Sequence, residues 1–349
     1  MILLMNMVMG AMSRLMTWIV PKPIIDRKTR DAYAQLEVAG YNHTGVRMVA
    51  DHELHPGRVM VCSEETPKLF MQTWRDTQDA PWALGNVVWT GWDYLGEGAV
   101  AAARYNDHPR MFAPFPALTA GTPVIDITGH RQPQSYAYEI GWGLRDDPYI
   151  AVRPLTHVGE KMVASNWRMS DSVRSWTWPG HEGVGATVEV YAQVGATVEL
   201  SLDGAVVGRA TAGDDLCARF TLPYAPGVLE ARTETGVDRL ATEPDQTLGL
   251  DSDRDVLRPN GQDLAFVEVS SPGVDRDIRV TVDGAGSLQG FGSGNPITTQ
   301  GYTTGVRSTF HGRAVAVVRA GVVPGEIRVT ATATGGEVAT TVITVEESQ

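Results

Sequence analysis

The sequence has very little cysteine. Cys62 and Cys217 are the only two cysteines among its 349 residues, and neither lies in a C-x-x-C or Cys/His pattern. A disulfide framework and a structural zinc site are therefore excluded. We expect the fold to be stabilised by burial of apolar side chains, with no metal and no cofactor.

Long apolar runs are also missing, since no stretch of 18 apolar residues occurs. The nearest is residues 1–20, which Asn6, Ser13, Arg14 and Thr17 interrupt. This stretch has neither the positive n-region nor the small-residue cleavage site of a secretory signal. We interpret it as a buried or amphipathic helix, and we expect a cytoplasmic location and no membrane partner.

Positive charge is scarce, with 29 basic against 41 acidic residues and a net charge of −12. Such a chain repels phosphate backbones and anionic lipid, which argues against nucleic acid as its main partner. A neutral or cationic small substrate fits this charge better.

The composition of the chain changes at Pro179, because all nine Trp and all twelve Met precede this residue. The first part alternates strand-like and helix-like runs, as in βα units. Short apolar stretches predict parallel strands at 36–42, 59–63 and 86–92. Helices are predicted at 44–55, 67–77 and 133–142, the second with Thr66 as N-cap and Pro67 at its first position.

After Pro179 the apolar period becomes two, which is typical of antiparallel sheets. Strands are predicted at 187–191 and 197–202, and Asp203-Gly204 forms a hairpin turn after them. Further strands are predicted at 220–222, 229–233 and 239–241. Residues 242–254 are polar enough for a linker or an edge strand, and a second set of strands follows at 264–270, 277–283, 314–319, 326–333 and 338–345. The spacing indicates two immunoglobulin-like β-sandwiches in tandem.

Polar and aromatic residues follow the three predicted parallel strands. Residues 40–43 read GYNH, residues 63–65 read SEE, and residues 89–94 read WTGWDY. In a barrel of βα units, reactive side chains project from the C-terminal strand ends. A carboxylate beside Trp and Tyr is the composition of a sugar site, because indole faces stack on pyranose rings. Packing and loop roles explain the same residues as well, so the pattern alone leaves both readings open.

A family resemblance is carried by four runs in order: GYN at 40–42, DHELHPGRV at 51–59, SEETP at 63–67 and NVVWTGWDYLGE at 86–97. They resemble the catalytic-barrel signature of glycoside hydrolase family 2, the β-galactosidase type. The resemblance continues through VEVYAQVGATVELSLDGAVVG at 188–208 and VTVDGAGSLQGFGSGNP at 280–296. It implies the C-terminal half of a (β/α)8 TIM barrel at 1–150, followed by immunoglobulin-like β-sandwiches at 151–248 and 249–349.

The resemblance also implies chemistry: retaining hydrolysis of terminal β-D-galactosides or related β-glycosides. Glu64 matches the family's nucleophile, and Trp89 matches a residue that lines the sugar pocket. We expect further substrate contacts from Asn42, His43, Trp92 and Asp93. Neighbouring Glu65 faces the other way along the strand and is expected in the first turn of the following helix.

The sequence departs from the family pattern at its general acid, because none of the seven Asn residues is followed by Glu. Only the last three barrel strands are found, so we expect an N-terminally truncated chain and a partner polypeptide that supplies the missing barrel half. His43 stands where the family commonly has tyrosine, and Tyr41 is an alternative neighbour for the nucleophile. The competing function is a catalytically inert carbohydrate-binding or structural remnant.

Overall fold

A computed structural model describes residues 18–108, 111–243 and 247–347. The helix expected at residues 1–20 lies almost entirely outside these ranges. Within them the chain is mostly β and has three regions: an N-terminal region around a parallel sheet, then a first and a second β domain. None of the described helices is long and apolar enough to cross a membrane.

The N-terminal region is built on three parallel strands in the order β1 (Val38–Asn42), β2 (Val59–Glu65), β3 (Ala83–Val88). Helix α1 (Pro23–Tyr33) precedes β1. A 3-10 turn (Gly45–Arg47) and helix α2 (Met48–Leu54) join β1 to β2, and α3 (Pro67–Thr77) joins β2 to β3. Helical crossovers are the connection that parallel neighbours need.

The end of the third strand and the cap of α3 differ from the sequence prediction. The third strand was expected to end at residue 92, but β3 ends at Val88. Beyond it the Asp93 amide donates to the Ile125 carbonyl at 2.8 Å, so the chain has left the parallel sheet. Helix α3 has the expected bounds, but the Thr66 side chain makes no capping hydrogen bond.

Glu65 was expected in the first turn of α3, but it is the last residue of β2. Its carboxylate accepts the Thr66 amide at 2.9 Å and the Thr73 hydroxyl at 2.9 Å, which joins α3 to the end of β2. Glu65 is completely buried, and this burial raises the pKa of its carboxyl group. Because adjacent strand residues face opposite ways, Glu64 lies on the other side of the sheet.

An irregular segment connects the parallel sheet to the β domains. It contains α4 (Pro133–Gly141) and the pair β4 (Arg104–Tyr105) with β6 (Met162–Val163). Phe70 and Met71 of α3 share a core with Tyr138 and Ile140 of α4, and Leu216 of the first β domain joins it. This core attaches the N-terminal region to the first β domain.

The first β domain has two antiparallel sheets around one core. One has the order β10-β7-β5 and the other β12-β11-β8-β9. The strands are β5 (Tyr149–Val152), β7 (Gly185–Tyr191), β8 (Thr197–Leu202), β9 (Ala205–Thr211), β10 (Cys217–Pro223), β11 (Val228–Arg232) and β12 (Val237–Ala241). The predicted turn between β8 and β9 has φ of 48° at Asp203 and 78° at Gly204, as a type I′ hairpin requires.

The second β domain also pairs two sheets over one core. Their orders are β13-β15-β19-β17 and β14-β21-β20-β16-β18. The strands are β13 (Gly249–Ser252), β14 (Val256–Leu257), β15 (Leu264–Ser270), β16 (Asp277–Gly284), β17 (Gly286–Gly292), β18 (Val306–Ser308), β19 (Arg313–Ala320), β20 (Gly325–Ala333) and β21 (Val338–Val345). β13 is the edge strand expected within residues 242–254, whereas β17 was not predicted.

Residues before Pro179 complete the core of the first β domain. Ile150 and Val152 of β5 are fully buried in it, and so is Trp176, one of the largest fully buried side chains described. The compositional change at Pro179 therefore falls inside this core.

We expect a fragment of residues 146–349 to unfold cooperatively, and one of residues 180–349 to melt broadly at lower temperature. The shorter fragment lacks β5 and Trp176, and loss of one buried Trp costs about 3–5 kcal/mol. Thermal unfolding followed by circular dichroism measures this, with Trp176→Ala in the whole chain as the matched point variant. Equal melting of the two fragments would show that residues before 180 do not stabilise this core.

The raised pKa of Glu65 predicts a pH-dependent stability. The folded chain binds this proton more tightly than the unfolded chain does. The free energy of unfolding therefore falls as the pH rises from the unfolded-state pKa through the folded-state pKa. Glu65→Gln should flatten that part of the profile, by about 1.4 kcal/mol for each pKa unit of difference. Urea unfolding from pH 4 to 9 measures it, with exposed Glu182→Gln as control. A profile that Glu65→Gln leaves unchanged would contradict the assignment.

Candidate active site

An open pocket of ≈ 580 Å³ lies at the C-terminal end of β2. Glu64 lines it, and the Glu64 side chain is 20% exposed. The described residues that line it are His43, Glu64, Trp89, Tyr94, Leu95, Gly96, Glu97, Val100, Met111, Phe112 and Trp167.

Both carboxylate oxygens of Glu64 are held by residues at the end of β1. The Asn42 amide donates to Oε2 at 2.8 Å, and His43 Nε2 lies 2.5 Å from Oε1. The His43 backbone amide donates to the Glu64 carbonyl at 2.7 Å, and His43 has a positive φ of 52°. This backbone turn brings the imidazole over the neighbouring strand.

Tyr41 takes no part in the pocket. It is fully buried in the helix layer, where its hydroxyl donates to Asp51 Oδ2 at 2.7 Å and its ring stacks on Tyr33 at 4.9 Å. The alternative that Tyr41 is the closer neighbour of Glu64 is therefore wrong.

Three of the aromatic side chains that line the pocket pack against one another and form an aromatic wall. Trp89 packs edge to face against Trp167 at 5.8 Å and against Tyr94 at 5.9 Å, and Trp167 does so against His43 at 5.7 Å. Trp89 was predicted here from the family resemblance. Trp167 was not, since it comes from an irregular segment more than 70 residues later with no pattern to mark it.

A second carboxylate, Glu97, lines the same pocket. It accepts a hydrogen bond from the Tyr94 hydroxyl, and burial together with Glu97 raises the pKa of Tyr94. Both residues stand in the NVVWTGWDYLGE run, yet neither was singled out as a substrate contact. Because Trp89 in the same run was predicted to line the pocket, Tyr94 and Glu97 could have been predicted there too.

Asp93 and Trp92, predicted as substrate contacts, do not line this pocket. Asp93 is 4% exposed, and its Oδ1 accepts the amides of Tyr94 at 3.0 Å and Gly121 at 2.9 Å. Trp92 is 56% exposed and its indole lies over Gly129. The prediction assumed that the strand continued to residue 92, and the turn after Val88 gives these side chains other directions.

The second β domain supports the pocket through residues 116–119. On one side, the amides of Gly96 and Ala99 donate to the carbonyls of Leu118 and Thr119 at 2.9 and 2.8 Å. On the other, the Leu118 amide donates to Pro296 at 2.9 Å and the Thr298 amide to Pro116 at 2.9 Å. The loop that carries Glu97 is thus hydrogen-bonded, through one intervening segment, to the loop after β17.

A carboxylate held on both oxygens, next to two indoles and a phenol, can attack an electrophilic carbon of a sugar stacked on the rings. In the described ranges, no group of three His, Cys, Asp or Glu side chains is arranged to hold a metal ion.

Comparisons with known proteins find relatives among glycoside hydrolases. A family model described as glycoside hydrolase family 2 C-terminal domain 5 matches residues 248–342, and a domain of unknown function, DUF4982, matches residues 183–237. The β-galactosidase BoGH2A of Bacteroides ovatus is 25% identical over 286 residues, which are 77% of this chain and 29% of that protein.

Two solved structures of glycosyl hydrolase family 2 members from Bacteroides cellulosilyticus are also similar. They superpose with TM-scores of 0.80 and 0.73 at 28% and 27% identity. The matches cover 91% and 90% of this chain and 43% and 41% of theirs, so the chain spans less than half the length of these relatives. The chain belongs to glycoside hydrolase family 2 and corresponds to the C-terminal part of such proteins.

Proposed function

We propose that this chain is the C-terminal part of a retaining β-glycosidase of the β-galactosidase type, with Glu64 as its nucleophile. The observation that carries the proposal is the Glu64 carboxylate, fixed by Asn42 and His43 in a pocket that Trp89 and Trp167 also line. The substrate class is a terminal β-D-galactoside or a related β-glycoside. The similarity to the β-galactosidase of Bacteroides ovatus supports that class.

In the proposed reaction, the sugar stacks on the indole wall and Glu64 attacks its anomeric carbon. The bond to the leaving oxygen breaks as a glycosyl-enzyme forms, and water then releases the sugar with retained configuration. The hydrogen bond from Asn42 orients one oxygen of Glu64. His43 orients the other, and as an imidazolium it would also make the carboxylate a weaker nucleophile.

We assign the three parallel strands to the end of a (β/α)8 barrel and the β domains to immunoglobulin-like sandwiches. Strands joined by helical crossovers are the repeating unit of such a barrel, with reactive side chains at the C-terminal strand ends. The outer strand β3 presents apolar side chains to solvent, with Leu84 64% and Val87 53% exposed. A polypeptide that continues the barrel would cover this surface.

The same polypeptide would supply the general acid. Retaining hydrolysis needs a second carboxyl group that protonates the leaving oxygen. Asp93 does not suit this role, because it is buried and accepts backbone amides. Glu97 does line the pocket, but it accepts the Tyr94 hydroxyl, which suits an acceptor for sugar hydroxyls better than a proton donor.

The runner-up function is a catalytically inert carbohydrate-binding remnant. The observation that favours it is the same pocket, which offers an aromatic wall for a sugar but no group placed as an acid among the residues described.

We expect the 349-residue chain alone to hydrolyse nitrophenyl β-galactoside slowly, because acid/base assistance is worth about 10²- to 10⁴-fold. Azide attacks a glycosyl-enzyme without a general base, so it should speed turnover and yield a β-configured galactosyl azide. Glu64→Gln should abolish both reactions, whereas Glu182→Gln, on the exposed surface, should change neither.

The other outcomes are equally specific. Turnover that survives in Glu64→Gln would reject this nucleophile. Fast turnover without azide that is lost in Glu97→Gln would make Glu97 the acid. No turnover under any condition, with the sugar still bound, would favour the inert remnant.

A further inference from the structure

A crevice separates the loop before α4 from the second β domain. It has three adjoining chambers with volumes of ≈ 420, 280 and 120 Å³. Thr128, His130 and Arg313 line both the outer and the middle chamber. His157 and His311 line both the middle and the inner one. The crevice is therefore elongated, and none of its lining residues belongs to the Glu64 pocket.

An exposed aromatic ring stands in the outer chamber. Phe266 of β15 is 46% exposed, although phenylalanine is normally buried. Asp253 fixes the backbone there, since its carboxylate accepts the Phe266 amide at 2.7 Å. Asp251 and Tyr136 line the same chamber. A ring face beside acidic acceptors is the combination that binds the apolar face and the hydroxyl groups of a sugar.

The charged groups deeper in the crevice are already paired within the fold. Asp126 Oδ1 accepts the amides of Thr128 at 2.9 Å and His130 at 3.1 Å. Arg313 is paired with Glu268. The Asp126 oxygen is thus satisfied by backbone amides and the Arg313 charge by Glu268, so neither group needs a charged ligand as its partner.

The middle chamber offers groups that match hydroxyls. The imidazole rings of His130 and His311 line it. Burial, with Arg313 near by, lowers the pKa of His130 to about 4, so this ring is neutral at neutral pH. A neutral imidazole has one donor and one acceptor, which is also what a hydroxyl group presents.

We propose that this crevice is a second carbohydrate site, which binds a neutral oligosaccharide independently of the Glu64 pocket. Phe266 stacks on one sugar ring at the outer end. The imidazoles of His130 and His311 exchange hydrogen bonds with the hydroxyl groups of the next rings. The three chambers in line favour a chain of sugars over a single one.

The test is affinity electrophoresis of the whole chain in native gels containing soluble β-1,4-galactan. The chain should be retarded, and Phe266→Ala and His311→Ala should each weaken the apparent affinity by about tenfold, which corresponds to about 1.4 kcal/mol. Val322→Ala is the matched control, because it removes a 73% exposed apolar side chain elsewhere on the same β domain.

Three results would overturn the proposal. The first is no retardation of the unaltered chain, and the second is that both crevice variants are retarded as strongly as the unaltered chain. The third is retardation that is lost in Trp89→Ala but kept in Phe266→Ala. The last would assign galactan binding to the Glu64 pocket, so it would support the proposed function while removing the second site.

Discussion

The alternation of side chains at the end of β2 is the constraint on which the candidate site depends. Glu65 points into the helix layer, where the Thr66 amide and the Thr73 hydroxyl hold it, and Glu64 must then point into the pocket. The 3-10 turn after β1 packs closely against Glu65 and Thr73. A Cβ on Gly45 would lie 2.8 Å from Glu65 Oε2 and 2.7 Å from Thr73 Cγ2. The buried Glu65 carboxyl group thereby contacts β1's following turn, β2 and α3, and it fixes their relative positions close to the contact between His43 and Glu64.

The β domains contribute to this site rather than merely following it. Residues 116–119 are hydrogen-bonded to the Glu97 loop on one side and to the loop after β17 on the other. Arg168, next to Trp167 in the irregular segment, donates from its guanidinium to the carbonyls of Ala101 at 2.6 Å and Gly121 at 2.9 Å. The parallel sheet therefore provides one wall of the pocket. The loop that carries Glu97 is held in place by residues 116–119, which are bonded to the second β domain.

Much of the fold could be predicted where local chemistry determines it. Pro67 after a buried strand marks the start of α3, and Asp203-Gly204 supplies the two positive φ angles of a tight hairpin. The strands from Leu264 to Ser270 and from Val338 to Val345 have the predicted bounds, because their apolar period is regular. β17 was missed, since its glycines hide the strand pattern.

The site residues could be predicted at strand ends, but not beyond them. Asn42, His43, Glu64 and Trp89 stand at or next to strand ends, and the structure brings them together. Trp92 and Asp93 lie beyond the end of β3, where the backbone turns and alternation no longer gives direction. Trp167 reaches the wall only through tertiary packing, which no local pattern encodes.

The most direct test of the central claim is covalent trapping. An activated 2-deoxy-2-fluoro-β-galactoside has a leaving group that needs little protonation, and its fluorine slows hydrolysis of the glycosyl-enzyme. Peptide mass mapping of the treated chain should place the sugar on Glu64. A label on Glu65 or Glu97, or no label on a folded chain, would contradict the assignment of Glu64 as the nucleophile.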